Sequence, residues 1–179
     1  MKTSLRKDSR CLEDIKTHYL LEKKLAQRLR KAGRNERKQL YPQLYAELFE
    51  KIPYFSTQAS DTEGRLRKAA KLSRFLHGFL SPHMTLLEVG AGDCAIAIEL
   101  CRFAKEVYAL DVVHQLVDDR SIPANLKLVT SDGISIDIGG AKIDMAFSNQ
   151  LMEHLHPEDA QDQLKNIYST LVSGGLYIV

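Results

Sequence analysis

This sequence predicts an α/β fold: a doubly wound, mostly parallel sheet preceded by a helical extension. Three observations carry that prediction. Leu86 to Cys94 reads LLEVGAGDC, a buried strand running into a glycine-rich turn with a helical pattern behind it. From Thr85 onward, short apolar runs alternate with helical segments, as parallel strands joined by crossover helices require. Before Thr85 the apolar residues recur at helical spacing instead. The expected division is residues 1–83 as the helical extension and residues 84–179 as the sheet domain.

Taken in order, residues 1 to about 14 are polar and terminal, and are expected to be loosely ordered. A first helix is expected from about Ile15 to Ala32, with Leu21, Leu25, Leu29 and Ala32 on one stripe. Gly33, Arg34 and Asn35 interrupt it. A second helix carries Leu40, Leu44, Tyr45, Leu48 and Phe49. Pro42 places its regular start near Tyr41, because proline fits a first turn, and Pro53 limits its end. Ser60 and Glu63 form a capping-box signature for a third helix, whose inner face is Leu66, Ala69, Ser73, Leu76 and Leu80. Strands follow at Thr85–Val89, Val107–Leu110, Leu126–Thr130 and Ile143–Ser148. Helices are expected from about Asp93 to Phe103, near His114 to Arg120, and from about Pro157 to Leu171. The last has Ala160, Leu164, Ile167, Tyr168 and Leu171 on one side. Ser131 to Lys142 leaves room for a loop with at most one helical turn. Gly174 and Gly175 then lead into a fifth strand at Leu176. The chain stops inside that strand with an open apolar edge, so it is expected to be C-terminally incomplete or to meet a partner there, a second copy included.

The 179 residues suffice for one sizeable core. No apolar run approaches the roughly 20 residues of a membrane span, and the charged start MKTSLRKDSR lacks a signal-peptide core. No membrane role is therefore expected. Cys11, Cys94 and Cys101 have no metal-like or paired spacing, and Cys94 and Cys101 read as small buried hydrophobes in a reducing cytoplasm. The net charge of +2 hides an asymmetry: residues 1–50 carry 13 Lys/Arg against 7 Asp/Glu, the remainder 12 against 16. Lys16 to Lys38 holds nine Lys/Arg and two Glu. Few aromatics are interleaved, so it reads as a solvated amphipathic helix rather than a nucleic-acid surface.

Four strand ends meet one crevice at the carboxyl edge of such a sheet. Glu88, two residues before Gly90, can accept hydrogen bonds from an ammonium group or from loop amides. Asp111 ends the second strand 19 residues after Gly92, where a carboxylate suits two ribose hydroxyls. Asp132 and Gly133 follow the third strand, where an acid can accept from an exocyclic amine and a backbone N–H can donate to a ring nitrogen. Ser148, Asn149 and Gln150 leave the fourth strand beside the glycine loop. Each element alone is weak, since an Asp at a strand end is as often a loop cap.

Together, in this order, they resemble the class I S-adenosylmethionine-dependent methyltransferases, and within them the methyltransferase type 11 group, over about Thr85 to Val179. EVGAGD (Glu88 to Asp93) matches the glycine-rich first motif, which wraps the methionine moiety. ALDVV (Ala109 to Val113) matches the second, which puts Asp111 on the ribose. TSDG (Thr130 to Gly133) matches the adenine-binding segment. SNQLMEHLHPED (Ser148 to Asp159) looks like the stretch that closes over the cofactor, and LVSGGLYIV like the turn into strand five. The resemblance implies a Rossmann-like core and cofactor contacts from Glu88, Gly90, Ala91, Gly92, Asp93, Asp111, Val112, Asp132, Gly133 and Asn149. It also implies methyl transfer to O, N or C of a small molecule. A non-catalytic module binding S-adenosylmethionine or S-adenosylhomocysteine is the alternative.

A nicotinamide-dependent oxidoreductase competes, because GAGDCA fits G-x-G-x-x-G/A. Against it, Glu88 would face a pyrophosphate, and no Tyr-x-x-x-Lys pair is present. Glu153 and His154 are the candidate general bases, with His156 a helix cap. Some relatives place a metal on E-x-x-E-H after the fourth strand. Here Gln150 replaces the first acid, so no metal is expected.

Overall fold

The computed structural model describes residues 11–52, 62–114 and 122–179. Its elements are α1 (Leu12–Lys31), α2 (Arg34–Lys51), α3 (Thr62–His77), β1 (Thr85–Val89), α4 (Ala95–Leu100), β2 (Glu106–Asp111), β3 (Leu126–Thr130), β4 (Ile143–Ser148), α5 (Pro157–Thr170) and β5 (Leu171–Ile178). The strands form one parallel sheet ordered β3-β2-β1-β4-β5. The doubly wound architecture is as expected, with its switch point between β1 and β4. No helix among the described residues is long and apolar enough to cross a membrane.

The central strands alternate across the sheet. Leu86, Val107, Ala109, Met145 and Phe147 pack on one side against Leu76 of α3 and Ala97 and Leu100 of α4. Leu87, Val89, Tyr108, Leu110 and Ala146 pack on the other against Ile138, between β3 and β4, and Ile167 of α5. A third cluster lies across the carboxyl edge. Leu25 and Leu29 of α1 and Tyr41, Leu44 and Leu48 of α2 meet Ile134, Val112 and Leu155 there. The helical hairpin α1–α2 therefore roofs the crevice that the strand ends form.

Several boundaries depart from the sequence expectation. α1 begins at Leu12 because Cys11 and Asp14 cap it reciprocally: the Asp14 amide donates to Cys11 Sγ, and the Cys11 amide donates to the Asp14 carboxylate. α2 begins at Arg34 and runs through Pro42. An internal proline costs a helix roughly 3 kcal/mol. The buried side chains of Arg37 and Tyr41, one on each side of the preceding turn, hold it in place through tertiary contacts. α3 tapers after His77 through the turn-like bonds Phe79 N to Leu76 O and Leu80 N to His77 O. Leu66 of its expected inner face is exposed, while Ala69, Ser73 and Leu76 are buried. The capping box expected from Ser60 and Glu63 and the short helix expected after His114 fall outside the described residues.

The inner face of α5 is also not the one the apolar spacing gives. Asp159, Gln163 and Ile167 are buried, while Leu164 and Tyr168 are exposed. Polar residues face inward because partners wait for them. Gln163 Nε2 donates to Gly133 O at 2.8 Å and Asn166 Nδ2 to Ile134 O at 2.9 Å. Strand β5 pairs through Leu171 before the glycines. A bulge between its Ile143 and Met145 pairings accommodates Gly174, with φ 80°, before the ladder resumes at Leu176.

Candidate active site

The turn after β1 is fixed by the end of β2. Gly90 and Ala91 donate their amides to Leu110 O at 2.8 and 3.1 Å, and Gly92 donates to Asp111 Oδ2 at 2.7 Å. Asp111 Oδ1 takes the Val113 amide at 3.2 Å. A carboxylate offers about four lone-pair sites, so Asp111 anchors the corner and still has acceptor capacity toward a ligand. Gly92 holds φ 53°, and a Cβ built on it would meet nothing within 4 Å. The turn therefore presents an open backbone surface that a ligand can approach closely.

Glu88 is buried, and its carboxyl group accepts from Ala97 N at 3.0 Å, in the first turn of α4. The Cys94 cap itself sits in the left-handed region and offers no side-chain bond, so Glu88 does the capping from β1, with Asp93 Oδ1 taking the Ala95 amide. Burial pushes the Glu88 pKa well above the usual carboxylate range, and the charges of Asp93 and Asp111 add to the rise. The folded chain then holds a proton on Glu88 that the unfolded chain releases near its ordinary pKa. Stability must fall as pH climbs from the ordinary carboxylate range through the raised value. Thermal melts of wild type and Glu88→Gln from pH 5 to 8 test this. The wild type is expected to lose stability relative to the variant as pH rises, and parallel curves would refute the burial argument.

A cavity of about 1210 Å³ lies between this corner and the helical roof. Glu88, Gly90, Ala91, Gly92, Asp93, Asn149, Glu153 and His154 line it together, as do Tyr19, Tyr45 and Phe49 from α1 and α2. Glu153 and His154 sit exposed on a short 3-10 turn, Met152–His154. Gln150 enters that segment with φ 53°, a strained backbone placed beside the cavity. His156 caps α5, its Nδ1 accepting from the Glu158 amide at 3.3 Å. Side chains in this lining that the sequence did not place at the site include Tyr19, Lys23, Arg30 and Tyr45. The signal for Tyr45 was present as an aromatic on the inner face of the second helix. Burial, with the nearby charges of Asp111, Glu22 and Glu153, pushes the Tyr45 pKa up to about 12.

Asp111, Val112, Asp132 and Gly133 lie outside the lining of this cavity. Val112 packs against the roof. Asp132 accepts from the Ile134 and Ser135 amides at 2.9 and 2.6 Å and from Ser135 Oγ at 2.9 Å, with Lys38 Nζ 3.4 Å away. Burial alone would raise its pKa, but those hydrogen bonds and Lys38 hold it below the usual range. Gly133 has φ 88°, and a Cβ there would strike the Tyr41 ring at 2.8 Å. Its amide donates to Ser131 Oγ and its carbonyl accepts from Gln163. These two residues hold the loop after β3 under α2.

A buried polar clamp, absent from the sequence expectation, joins the roof to the segment after β4. Arg37 donates from Nε and Nη2 to the two oxygens of Asp159 at 2.6 and 2.7 Å, and from Nη2 to Glu158 at 2.8 Å. Tyr41 donates its hydroxyl proton to Asp159 Oδ2 at 2.9 Å, and its oxygen accepts from the His156 amide at 3.0 Å.

The family model described as methyltransferase domain matches residues 87–179. A carboxy-S-adenosyl-L-methionine synthase of Campylobacter fetus is 27% identical over 116 residues, which is 61% of this chain and 49% of that enzyme. The chain thus spans about half the length of that relative. Among solved structures, phosphoethanolamine N-methyltransferase 1 of Haemonchus contortus, in complex with phosphoethanolamine and S-adenosylhomocysteine, gives a TM-score of 0.63 at 15% identity. That match covers 83% of this chain and 33% of that one. An amino pentose methyltransferase from Micromonospora echinaspora with S-adenosylmethionine bound gives 0.55 at 18% identity, over 67% of this chain and 55% of that one. At these identities the two structures establish the fold.

Proposed function

The chain belongs to the methyltransferase domain family, among the class I S-adenosylmethionine-dependent methyltransferases, and on that premise we propose that it transfers a methyl group from S-adenosylmethionine to a small-molecule acceptor. The observation that carries this reading is the charge of the corner. Asp93 and Glu153 line the cavity around the open Gly92 turn, beside the buried and protonated Glu88 carboxyl, a wall whose two carboxylates suit a sulfonium and an ammonium group and are unfavourable to the pyrophosphate of a nicotinamide cofactor.

In this reading Glu88, Gly90, Ala91, Gly92, Asp93 and Asn149 hold the methionine half, and Asp111 accepts from the ribose hydroxyls. Val112, Asp132 and Gly133 shape the adenine end, the last two through the loop they hold rather than through free hydrogen-bonding groups. Bound there, the cofactor would supply an already activated methyl group on a sulfonium sulfur. The protein's task is to align the acceptor and exclude water. Where the acceptor carries a proton, Glu153 or His154 takes it from the nucleophilic atom. Residues 84–179 supply the cofactor side and the α1–α2 hairpin of the preceding segment, residues 1–83, the acceptor side, in a cytoplasmic protein.

Calorimetric titration with S-adenosylmethionine, S-adenosylhomocysteine and NADH tests the reading. Both adenosyl ligands are expected to bind and NADH to be silent. Binding of NADH alone, or silence toward all three from folded protein, would overturn it.

A further inference from the structure

Resting on that reading of the cofactor site, we propose that the methyl acceptor is a small organic anion, a carboxylate or phosphate monoester with an apolar body, whose charged end is held by Lys23 and Arg30 of α1. The cavity has two chemically unlike walls. Acids occupy the glycine-loop side, as described above. Lys23 and Arg30 occupy the α1 side. They stand seven residues apart on one helix face, about 10 Å along the axis, with Ala26 between them also lining the space. Leu25, Leu29, Leu44 and Leu48 form the apolar part of the same lining.

The pairing of the hairpin's cations separates these two from the rest. Arg28 and Lys51 each meet Glu47, Arg34 meets Asp162, Arg37 meets Asp159 and Lys38 meets Asp132. Lys16, Lys24 and Lys31 lie outside the cavity lining. Lys23 and Arg30 line it and have no carboxylate partner among the described residues. The one acid of α1 in the lining, Glu22, lies 3.2 Å from His18 Nε2, and the Lys23 ammonium stands 5.9 Å from the Tyr19 ring centroid.

Two exposed cations beside an apolar floor attract an anion that also has apolar surface to bury. The carboxylates of Asp93 and Glu153 on the opposite wall repel the same anion. Both effects turn its charged end toward α1 and leave its other end toward the glycine loop, where a methyl donor is held in the reading above. A neutral or cationic molecule of the same shape gains no such orientation.

Four probes of one shape test this on protein loaded with S-adenosylhomocysteine: phenyl phosphate, benzoate, benzyl alcohol and benzylamine. The loading titration comes first. If S-adenosylhomocysteine does not bind, the cofactor reading fails and this inference falls with it. On loaded protein, at least one of the two anions is expected to bind, and the alcohol and amine about tenfold more weakly or not at all. Whichever anion binds more tightly assigns the phosphate or the carboxylate. Lys23→Gln and Arg30→Gln are each expected to weaken the anion about tenfold and to leave S-adenosylhomocysteine affinity unchanged. Both side chains are exposed, so the variants are expected to melt with the wild type. Silence toward both anions, equal binding of all four probes, or variants that bind the anions like wild type would each overturn the assignment.

Discussion

Replacing Asp159 with alanine is expected to cost the folded state about 3–5 kcal/mol, the range for breaking a buried ion pair by removing one partner. Asp159 has no exposure and Arg37 only 3%. The guanidinium meets both carboxylate oxygens in the bidentate arrangement that makes such pairs strong. Loss of the carboxylate leaves a buried cation whose remaining acceptors are Ala32 O, at 3.2 Å, and Glu158, which is largely exposed. It also leaves the Tyr41 hydroxyl proton without its acceptor. Arg37→Ala is expected to fall in the same range.

The informative variant is the double replacement Arg37→Met with Asp159→Leu. It removes both charges and fills the space, and is expected to recover most of the loss. Urea unfolding of the two single variants and the double measures this. A loss below about 1 kcal/mol for Asp159→Ala would show that water reaches the pair and that the clamp does not hold the roof.

That clamp marks where the sequence stopped being informative. Hydrophobic period carried the sheet: β1, β3 and β4 fall on the expected residues because a buried parallel strand is a short apolar run whatever surrounds it. The parallel order followed from the alternation of elements. Periodicity misplaced the inner face of α5 because that face is polar. Asp159 and Gln163 are buried only because α2 and the β3 loop supply partners from far away in the chain, Arg37 and Asp159 being 122 positions apart. Local pattern cannot register such a partner. Pro42 misled for the same reason, since a tertiary anchor overrode a local helix signal.

The site divides in the same way. The glycine turn, Glu88 and Asp111 were legible, being defined by position relative to strand ends. The basic segment read as a solvated face, yet α1 brings Lys23 and Arg30 to the cavity. Asp132 and Gly133 were legible as a loop at the right strand end, but their polar groups are used by Ser131, Ile134, Ser135 and Gln163.

Asp111→Ala is expected to weaken S-adenosylhomocysteine by about 100-fold, roughly 2.7 kcal/mol, as loss of hydrogen bonds to a charged acceptor implies. Two mechanisms could produce that loss. The carboxylate anchors the glycine turn through the Gly92 and Val113 amides, and in the proposed function it also accepts from the ribose. A ligand without the 2′-hydroxyl separates them. In wild type, 2′-deoxy-S-adenosylhomocysteine is expected to bind about tenfold more weakly than the parent, the range for one charge-assisted hydrogen bond. In Asp111→Ala the two ligands are expected to bind alike, because the acceptor for that hydroxyl is gone. A tenfold difference that persists in the variant would assign Asp111 to the turn alone and move the ribose elsewhere. Asp111→Asn completes the cycle. Its one carbonyl oxygen can serve the turn or the ligand, so its affinity is expected to lie between wild type and alanine.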